Sequence, residues 1–428
     1  MKPFAFVHSA DLHLGSPFKG VSERIPHSLD VLRNATYDAF NALIHLCLES
    51  EAAFLLVAGD VIDDADHALR AQLAFRDAMV RLKEKEINAF VVHGNHDPAP
   101  AWSTRIFWPE NLHLFRADTV ERIVVRVDGV PTASISGISF AQGNEQRPLI
   151  EKFQRDHSDL FKIGLLHTSC GHHPDHTAYA PCTAGQLRET GFDYWALGHV
   201  HERAILSRAP YIAYPGNIQG LSIRETGARG CYLVRVDENR RIEVTFHPLD
   251  VVRWLLIRLD LSPIETLDNL DQALFRQMES ALTAADGRSA IVRILLEGRS
   301  QLYSELRKED TAAVLLERIR AAGIAKTPAV WVQDLQVNCL PPIDLTSRSK
   351  VDDFFGQVLR EAKTLRLSTK IALNAAPGAP PETLAPALKD LFHHHRLARL
   401  LDPLSGDDCE RLISEAEKLC LDLLEPDT

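Results

Sequence analysis

The segment FLLVAGD (residues 54–60) decides the fold, because it is a short apolar run that ends in a glycine and an aspartate. A run of this length between turn-forming residues is typical of a buried strand. Similar runs recur through the first half of the chain: FAFVHS (4–9), NAFVVHGN (88–95), KIGLLH (162–167), DYWALGH (193–199) and PYIAYPGN (210–217). We interpret each of them as a buried strand.

Helical patterns lie between the first three of these runs. Apolar residues recur every three or four positions over residues 29–47 and again over residues 67–86, and strands that alternate with helices predict an α/β layered domain. The runs at 122–127 and 133–140 add strands with no helix between them. The predicted fold class is therefore α/β, with a β-sandwich flanked by helices rather than a simple doubly wound sheet.

The pattern of apolar residues changes near residue 250. WLLIRLDL (254–261), SAIVRILLEG (289–298) and AVWVQDLQVNC (329–339) alternate with helical stretches, which predicts a small β-α-β-α-β domain. Beyond it the pattern is helical, interrupted by the Pro-rich segment at 375–383. We predict three parts: a catalytic domain over 1–250, a small α/β capping domain over 251–342, and a helical C-terminal region over 343–428.

Composition narrows the function classes. The chain has 428 residues and a formal net charge of −11, so a general basic coat for nucleic acid is excluded and any positive charge at a DNA site must be local or supplied by metal ions. Its seven cysteines form no CxxC pair, which argues against a zinc knuckle or a disulfide framework. With no apolar run long enough to cross a membrane, we expect a cytoplasmic protein without a membrane partner.

Potential metal ligands follow the apolar runs, at the points where the predicted strands end. Asp11 and His13 follow the first run, Asp60 the second, Asn95 and His96 the third, His167 the fourth, and His199 and His201 the fifth. We expect these side chains to converge, because ligands of α/β sheets bind beyond the carboxyl ends of the strands.

The types of these residues indicate which metals they suit. Imidazoles mixed with carboxylates and an amide suit Mn²⁺, Fe²⁺, Ni²⁺ or Zn²⁺ better than Mg²⁺ or Ca²⁺. Seven or eight ligands are too many for one ion with an open position but suit two ions that share a carboxylate. Two ions about 3.5–4 Å apart are the usual device for phosphoester hydrolysis.

Five blocks of the chain resemble the motifs of the calcineurin-like metallophosphoesterases: SADLHLGS (9–16), AGDVID (58–63), HGNHD (93–97), LLHTS (165–169) and ALGHVH (196–201). Within that superfamily the chain resembles the SbcD-type DNA exonucleases and, most of all, their YhaO-like branch. The blocks that carry this finer likeness are YAPC (179–182), FDYWALGHVH (192–201), YPGNIQG (214–220) and IRETGARGC (223–231). The resemblance covers roughly residues 4–250.

The resemblance implies a role for each site residue. One metal would be held by Asp11, His13, Asp60 and His201, and the second by Asp60, Asn95, His167 and His199, so that Asp60 bridges. His96 resembles the family's catalytic histidine, which orients the scissile phosphate and protonates the leaving oxygen. Asp97 would either orient His96 or hold its loop structurally, and Asp63 would either support the metal loop without binding metal or serve the loop structure alone. Arg203, Arg224 and Arg229 are candidates for a phosphate contact, since Leu221 stands where relatives often carry a basic residue.

The resemblance also implies a function. It favours a metal-dependent DNA phosphodiesterase, an exonuclease with two divalent ions, Mn²⁺ first among them, that acts as the nuclease subunit of a DNA-repair complex. The alternative is a phosphatase or phosphodiesterase for a small molecule or a phosphoprotein, because the five metal motifs are shared across the superfamily. A scaffold without catalysis is disfavoured, because every expected ligand and His96 are present.

The C-terminal region predicts a protein partner. Residues 348–370 carry a local charge of +3, and apolar residues recur at helical spacing there and again at 384–392 and 412–419. These helices pack either on their own catalytic domain or on another chain. The SbcD-type resemblance implies that they grip an SMC-like coiled-coil ATPase, with DNA as the substrate and a homodimer as a possible assembly.

Overall fold

The computed structural model of the protein describes residues 1–21, 29–63, 68–102, 105–171, 178–342, 345–375 and 406–424. It divides into two compact units, one formed by residues 1–298 with 304–339 and the other by residues 299–303 with 340–428. The first unit contains two six-stranded sheets and one three-stranded sheet, and the helices of the second unit are described separately below.

Two mixed sheets form the larger part of the first unit. Their strands are β1 (Phe4–Ser9), β2 (Phe54–Ala58), β3 (Asn88–Val92), β4 (Leu112–Leu114), β5 (Glu121–Val127), β6 (Val130–Ile138), β7 (Phe161–His167), β8 (Tyr194–Gly198), β9 (Ala204–Arg208), β10 (Tyr211–Tyr214), β11 (Gly230–Val236) and β12 (Ile242–Pro248). One sheet has the order β12-β11-β1-β2-β3-β4 and the other β5-β6-β7-β8-β10-β9. Parallel strands occupy the middle of each sheet, so their carboxyl ends share an edge.

The two sheets pack face to face around an aromatic core. Along β1, Phe4 and Phe6 point into this core, where Phe6 stacks on Phe54 with ring centroids 5.1 Å apart. Val7 points the opposite way, as strand alternation requires. Phe161 and Tyr194 enter the same core from the second sheet. The predicted sandwich is therefore confirmed.

Helices cover the outer faces of the sandwich. They are α1 (Leu29–Glu49), α2 (Ala68–Lys83) and α3 (Ala184–Glu189), with single 3₁₀ turns at Ala99–Ala101 and Leu149–Lys152. Phe40 and Phe75, from α1 and α2, stack with centroids 5.6 Å apart over the first sheet. On the second sheet, α3 begins with a capping box between Thr183 and Gln186.

A three-stranded parallel sheet follows the sandwich. Its elements are β13 (Val252–Asp260), α4 (Leu267–Ala285), β14 (Ser289–Glu297), α5 (Tyr303–Leu306), α6 (Glu309–Ile324) and β15 (Val330–Val337). The β-α-β-α-β pattern is thus observed; we call β13–β15 with α4 and α6 the cap. Trp254 and Trp331 of the cap are buried with Phe18 and Leu221 of the sandwich in one apolar cluster. Sandwich and cap belong to the same compact unit, and the division at residue 250 stays a prediction.

The second unit is helical where it is described. It contains α7 (Leu345–Arg348), α8 (Phe354–Ala375) and α9 (Gly406–Leu424). Arg366 of α8 forms an ion pair with Glu417 of α9 and donates a hydrogen bond to Ser414 Oγ at 3.3 Å. The predicted helix at 384–392 and the Pro-rich segment, apart from its first residue, lie outside the described residues. No helix among the described ranges is both long enough and apolar enough to cross a membrane.

A histidine of β1 is buried inside the sandwich. His8 Nδ1 lies 2.9 Å from Tyr194 Oη and its Nε2 lies 3.1 Å from the Leu197 carbonyl oxygen. Since a carbonyl only accepts, Nε2–H donates to Leu197 and Nδ1 accepts from the Tyr194 hydroxyl. Burial lowers the pKa of His8 to about 3, against a smaller opposite effect of the Leu197 carbonyl. The folded protein therefore holds this ring neutral.

Replacing His8 by asparagine should change how stability depends on pH. The unfolded chain binds a proton at His8 below about pH 6.5, whereas the folded chain does not until about pH 3. Protonation of His8 therefore does not affect the free energy of unfolding above about pH 6.5. As the pH falls from about 6.5 to about 3, it lowers the free energy of unfolding by about 1.4 kcal/mol per pH unit. We expect urea unfolding with a chelator present to show this slope in the difference between wild type and His8→Asn. His157 is exposed, so His157→Asn is the matched control; a pH-independent difference for His8→Asn would contradict the assignment.

Candidate metal centre

The loops after β1, β2, β3, β7 and β8 meet at one edge of the sandwich. The first two loops are joined through their backbones, because Asp11 N donates to Gly59 O at 3.0 Å and His13 N donates to Asp60 O at 3.1 Å. All seven side chains predicted as metal ligands lie at this edge and fall into two adjoining groups. They are Asp11, His13 and His201 in the first group, and Asp60, Asn95, His167 and His199 in the second.

The first group turns two imidazole nitrogens toward each other. His13 Nε2 lies 3.0 Å from His201 Nε2. Each ring has a carboxylate at its other nitrogen: Asp63 Oδ1 lies 3.2 Å from His13 Nδ1, and Glu225 Oε1 lies 2.6 Å from His201 Nδ1. The Nδ1 atoms therefore carry the hydrogens, and both Nε2 atoms present lone pairs to the same small space.

The second group repeats this arrangement with oxygen ligands. His167 Nδ1 donates to the Ala58 carbonyl oxygen at 2.8 Å, which leaves its Nε2 as an acceptor. That Nε2 lies 3.0 Å from Asn95 Oδ1 and 3.3 Å from Asp60 Oδ2. His199 Nδ1 lies 3.1 Å from the same Asn95 oxygen. In the neutral ring, acceptor atoms again face one another. Burial lowers the pKa of His167, but the neighbouring Asp60 carboxylate outweighs burial and raises this pKa to about 9, so a proton or a cation is favoured between the two side chains.

Asp60 connects the two groups. Its Oδ2 lies 3.3 Å from His167 Nε2 in one group and 4.0 Å from His13 Nε2 in the other. Its Oδ1 accepts a hydrogen bond from the His96 amide at 2.9 Å. Asp60 is 1% exposed, so neither oxygen is solvated. This carboxylate stands where a ligand shared by two ions would stand.

The donor set fits divalent transition-metal ions. Ligand atoms held about 2.1 Å from an ion in octahedral geometry stand about 3.0 Å apart, which is the spacing seen between the facing atoms of both groups. Buried acceptors this close repel one another unless a cation or a proton lies between them. Imidazole nitrogens combined with carboxylate and amide oxygens favour Mn²⁺, Fe²⁺ or Zn²⁺ over Ca²⁺.

Backbone strain is concentrated in the same loops. Asp11, His13, Asp60 and His199 all have positive φ, at 52°, 43°, 51° and 99°. Non-glycine residues rarely adopt this region, and strained residues persist where the surrounding structure holds them for a purpose. The strained backbone aims these four side chains into the site.

His96 stands beside the two groups without belonging to either. Its Nδ1 lies 2.7 Å from Asp63 Oδ1, and its side chain is 45% exposed. The hydrogen bond to Asp63 raises the pKa of His96 to about 9. Since Nδ1–H donates to Asp63, the Nε2 atom is left to meet a substrate.

Of the two roles that the sequence leaves open for Asp97, orienting His96 is wrong, and the hydrogen bonds of Asp97 agree with the structural loop role. Its Oδ1 accepts from the amides of Asp60 at 3.2 Å and Gly94 at 2.9 Å, and its Oδ2 accepts from the amide of Val61 at 2.9 Å. This buried carboxylate thus fixes the two loops that carry Asp60 and Asn95, and Asp63 orients His96 instead. Asp63 also accepts from Ser16 Oγ at 2.7 Å.

One candidate phosphate contact is likewise ruled out. Arg229 is 8% exposed, and its guanidinium donates to the carbonyl oxygens of His201 and Thr226. Arg203 lies 3.9 Å over the Phe246 ring, whereas Arg224 is exposed. Arg229 therefore fixes the loop next to His201 and is not available to a phosphate. Three further histidines that follow His167 in the sequence, at 172, 173 and 176, lie outside the described residues.

Sequence reasoning missed Glu225 and the glycines of the site. Glu225 lies 24 residues after His201, and only its place in the block 223–231 marked it. Burial alone would raise the pKa of Glu225, but the hydrogen bond from His201 holds it at about 2. Gly94 is required by space, because a Cβ there would collide with Asp60 Oδ1 and lie 2.8 Å from His167 Cε1.

Comparison with known proteins assigns the family. A family model of calcineurin-like phosphoesterases matches residues 4–203, and a model of the middle domain of metallophosphoesterase YhaO matches residues 254–340. The chain is 32% identical over 370 residues to a Bacillus subtilis (strain 168) protein named Uncharacterized metallophosphoesterase YhaO, covering 85% of this chain and 88% of that one. The chain is a calcineurin-like metallophosphoesterase.

More distant relatives of this metallophosphoesterase have names that include DNA repair and nuclease. The DNA double-strand break repair protein Mre11 of Thermoplasma acidophilum is 24% identical over 335 residues, which cover 73% of this chain and 83% of that one. One nuclease SbcCD subunit, from Staphylococcus epidermidis, is 24% identical over 275 residues, covering 58% and 70%. Divalent metals are the cofactors of the family, and the His/Asp groups described above could hold them.

A methyl group at Gly94 should disturb the site, because it would displace the Asp60 carboxylate. We expect Gly94→Ala to weaken Mn²⁺ binding by about tenfold or more, measured by isothermal titration calorimetry. The matched control is Gly185→Ala, where the nearest atom to the new Cβ is Thr183 Oγ1 at 3.6 Å. Wild-type affinity in Gly94→Ala would contradict the position of Asp60 at the metal.

Proposed function

We propose that this metallophosphoesterase is a two-metal DNA phosphodiesterase. One ion would be held by Asp11, His13, Asp60 and His201, and the other by Asp60, Asn95, His167 and His199. The observation that carries this assignment is the two groups of facing ligand atoms, with Asp60 Oδ2 next to both. Their spacing and chemistry fit a divalent cation in each group.

The residues divide the chemistry between them. When bound by the residues named above, two divalent ions would supply the positive charge that phosphoryl oxygens and an attacking water require. His96 Nε2–H donates its proton to the leaving oxygen, and the ring is held for this by the Nδ1–H bond to Asp63. The hydrogen bond to Asp63 raises the pKa of His96, which favours the protonated ring that a general acid requires. Asp97 keeps the loops of Asp60 and Asn95 in register.

DNA is the proposed substrate because of the relatives. Proteins named for DNA double-strand break repair and for nuclease activity match 58–73% of this chain. The chain itself is acidic, with a net charge of −11. Two divalent ions would carry about four positive charges, which would offset the carboxylates of Asp11 and Asp60 among their ligands and reduce the repulsion between this acidic chain and a polyanion.

Variants of His96 and Asp60 should separate chemistry from metal binding. His96→Asn should keep both ions and lower kcat by about 10²–10⁴, the usual contribution of a positioned acid. Asp60→Asn should lose bound metal, because this carboxylate serves both sites. Metal content by mass spectrometry and rates on a nitrophenyl phosphodiester measure the two effects; equal metal loss in both variants would make His96 a ligand.

Metal replacement tests the cofactor and the substrate together. We expect a chelator to abolish turnover, Mn²⁺ to restore it, and Mg²⁺ to restore much less, because the imidazole nitrogens suit Mn²⁺ better. The Mn²⁺ enzyme should degrade linear DNA. Activity on small phosphoesters or phosphoproteins with none on DNA would instead favour the alternative phosphatase, and equal turnover with Mg²⁺ would count against the ligand assignment.

The helical second unit is proposed to bind a coiled-coil ATPase. Phe355 and Leu359 of α8 are each 4% exposed, so this part of the predicted apolar stripe is internal. Phe354 and Leu367 of α8 and Leu419 of α9 remain 66%, 64% and 60% exposed. Apolar side chains this exposed on helices are available to another chain's helices.

An acidic residue on this surface should prevent docking. We expect Leu367→Asp to stop co-purification with a coiled-coil ATPase encoded nearby, while metal content and helical circular dichroism stay at wild-type levels. Leu69→Asp on α2 is the matched control, because Leu69 is 63% exposed on the first unit. If Leu367→Asp, Phe354→Asp and Leu419→Asp all still co-purify with the ATPase, the docking site lies elsewhere.

A further inference from the structure

The loop between β10 and β11 contacts a proposed metal ligand, His201, but supplies no proposed ligand itself. It carries Glu225, whose side chain is 16% exposed and accepts two hydrogen bonds. His201 Nδ1–H donates to Oε1 at 2.6 Å, and the Leu221 amide donates to Oε2 at 2.6 Å. Both carboxylate oxygens are therefore occupied by donors, one of them on a proposed metal ligand.

This pair of bonds determines which nitrogen His201 offers to an ion. A neutral imidazole has one donor and one acceptor nitrogen, and the partner of one nitrogen decides the role of the other. Because Glu225 binds Nδ1–H, the lone pair is on Nε2, which faces His13 Nε2 at 3.0 Å. A carboxylate behind a metal-binding histidine also raises the basicity of its ligating nitrogen.

The loop that carries Glu225 is anchored on the first strand of the cap. Trp254 Nε1 donates to the Gly220 carbonyl oxygen at 3.0 Å, and the Gly227 amide donates to the Trp254 carbonyl oxygen at 3.0 Å. Gln219 accepts from the amides of Val251 and Val252 at 2.9 and 3.2 Å, and its Nε2 donates to the Val252 carbonyl oxygen at 2.7 Å. These contacts flank Glu225 on both sides along the chain.

Trp254 is itself held between sandwich and cap. It is fully buried, and its ring stacks on Phe18 with centroids 6.2 Å apart. Phe18 belongs to the loop that follows His13, and Lys19 N donates to the Leu221 carbonyl oxygen at 2.8 Å. The position of β13 is therefore linked by direct contacts to the loops on both sides of the first ligand group.

We infer that Glu225 is a positioning residue that holds His201 Nε2 toward one of the two ions, and that Trp254 of the cap keeps Glu225 in place. This inference rests on the proposed two-metal function and goes beyond it, because it assigns the cap a part in metal binding. The other ion, whose ligands are Asn95, His167 and His199 with Asp60, has no contact with Glu225 and should be independent of it.

Glutamine at 225 isolates the effect with little change of volume. Its single amide oxygen can accept from His201 or from Leu221 but not from both, and its NH₂ group would face a donor. The matched control is Glu202→Gln, which removes one negative charge next to His201 in sequence. Glu202 is exposed, and no hydrogen bond joins it to the His201 ring. Trp254→Phe removes the Nε1–H donor and keeps an aromatic ring.

The test is a Mn²⁺ titration of full-length protein, followed by the electron paramagnetic resonance signal of free Mn²⁺. Wild type and Glu202→Gln should bind two ions. Glu225→Gln should bind one ion as tightly as wild type and the other about 10–100-fold more weakly, the usual cost of losing a carboxylate behind a metal-binding histidine. Trp254→Phe should weaken the same ion by a smaller factor. Melting temperatures without metal should match wild type in Glu225→Gln.

Four outcomes would overturn the inference in whole or in part, and each is distinguishable from the others. Two ions bound to Glu225→Gln with wild-type affinities would remove the role of Glu225 and leave the proposed function standing. Equal weakening of both ions with a lower melting temperature would make Glu225 a structural residue. Wild-type protein that binds no Mn²⁺ would remove the two-metal proposal itself. Unchanged affinity in Trp254→Phe would overturn only the part assigned to the cap.

Discussion

Buried acceptor atoms that face one another are the constraint on which the rest of the site depends. His13 and His201 turn lone pairs together across 3.0 Å, and His167 does the same toward Asn95 and Asp60. Such an arrangement is unfavourable without positive charge between the facing atoms. Positive φ angles at Asp11, His13, Asp60 and His199 add strain in the same loops. The fold therefore places facing acceptor atoms and strained loops where cations would stabilise them.

The sandwich tolerates this arrangement because rigid groups surround it. Asp97 joins the loops after β2 and β3 by accepting from three backbone amides. Arg229 ties the carbonyl of His201 to its own loop, and Ala58 fixes the His167 ring. None of these groups needs to touch a metal or a substrate to matter. Each limits where a ligand can move, so that the ligands are held in place before an ion arrives.

Two carboxylates of the site accept hydrogen bonds from histidines, and changing one or the other would have different effects. Asp63 accepts from both His13 and His96, so it connects one proposed ion to the proposed acid. Glu225 accepts from His201 and from its own loop, which in turn is anchored on the cap. A change at Asp63 would therefore affect chemistry as well as metal binding. A change at Glu225 would affect metal binding through the geometry of a single ligand.

The sequence by itself determined the fold class and the set of converging residues. Short apolar runs that end in Asp, Asn or His predict parallel strands, and parallel strands place whatever follows them at one edge. The seven proposed ligands and His96 could be selected for this reason, although they are spread over 191 positions from Asp11 to His201. Only the resemblance to the metallophosphoesterases separated His96 from the ligands. The β-α-β-α-β cap could also be predicted, because the period of its apolar residues changes at each element.

Only the tertiary structure decided which groups support the ligands. Asp63 and Asp97 both lie next to metal motifs, but Asp97 is turned inward to backbone amides and Asp63 outward to His96. Arg229 is charged and close to the site in sequence, yet its guanidinium is buried against carbonyl oxygens. Glu225 reaches His201 across 24 positions because the cap holds its loop. Hydrogen-bond partners depend on the side-chain direction and loop path, which strand periodicity does not encode.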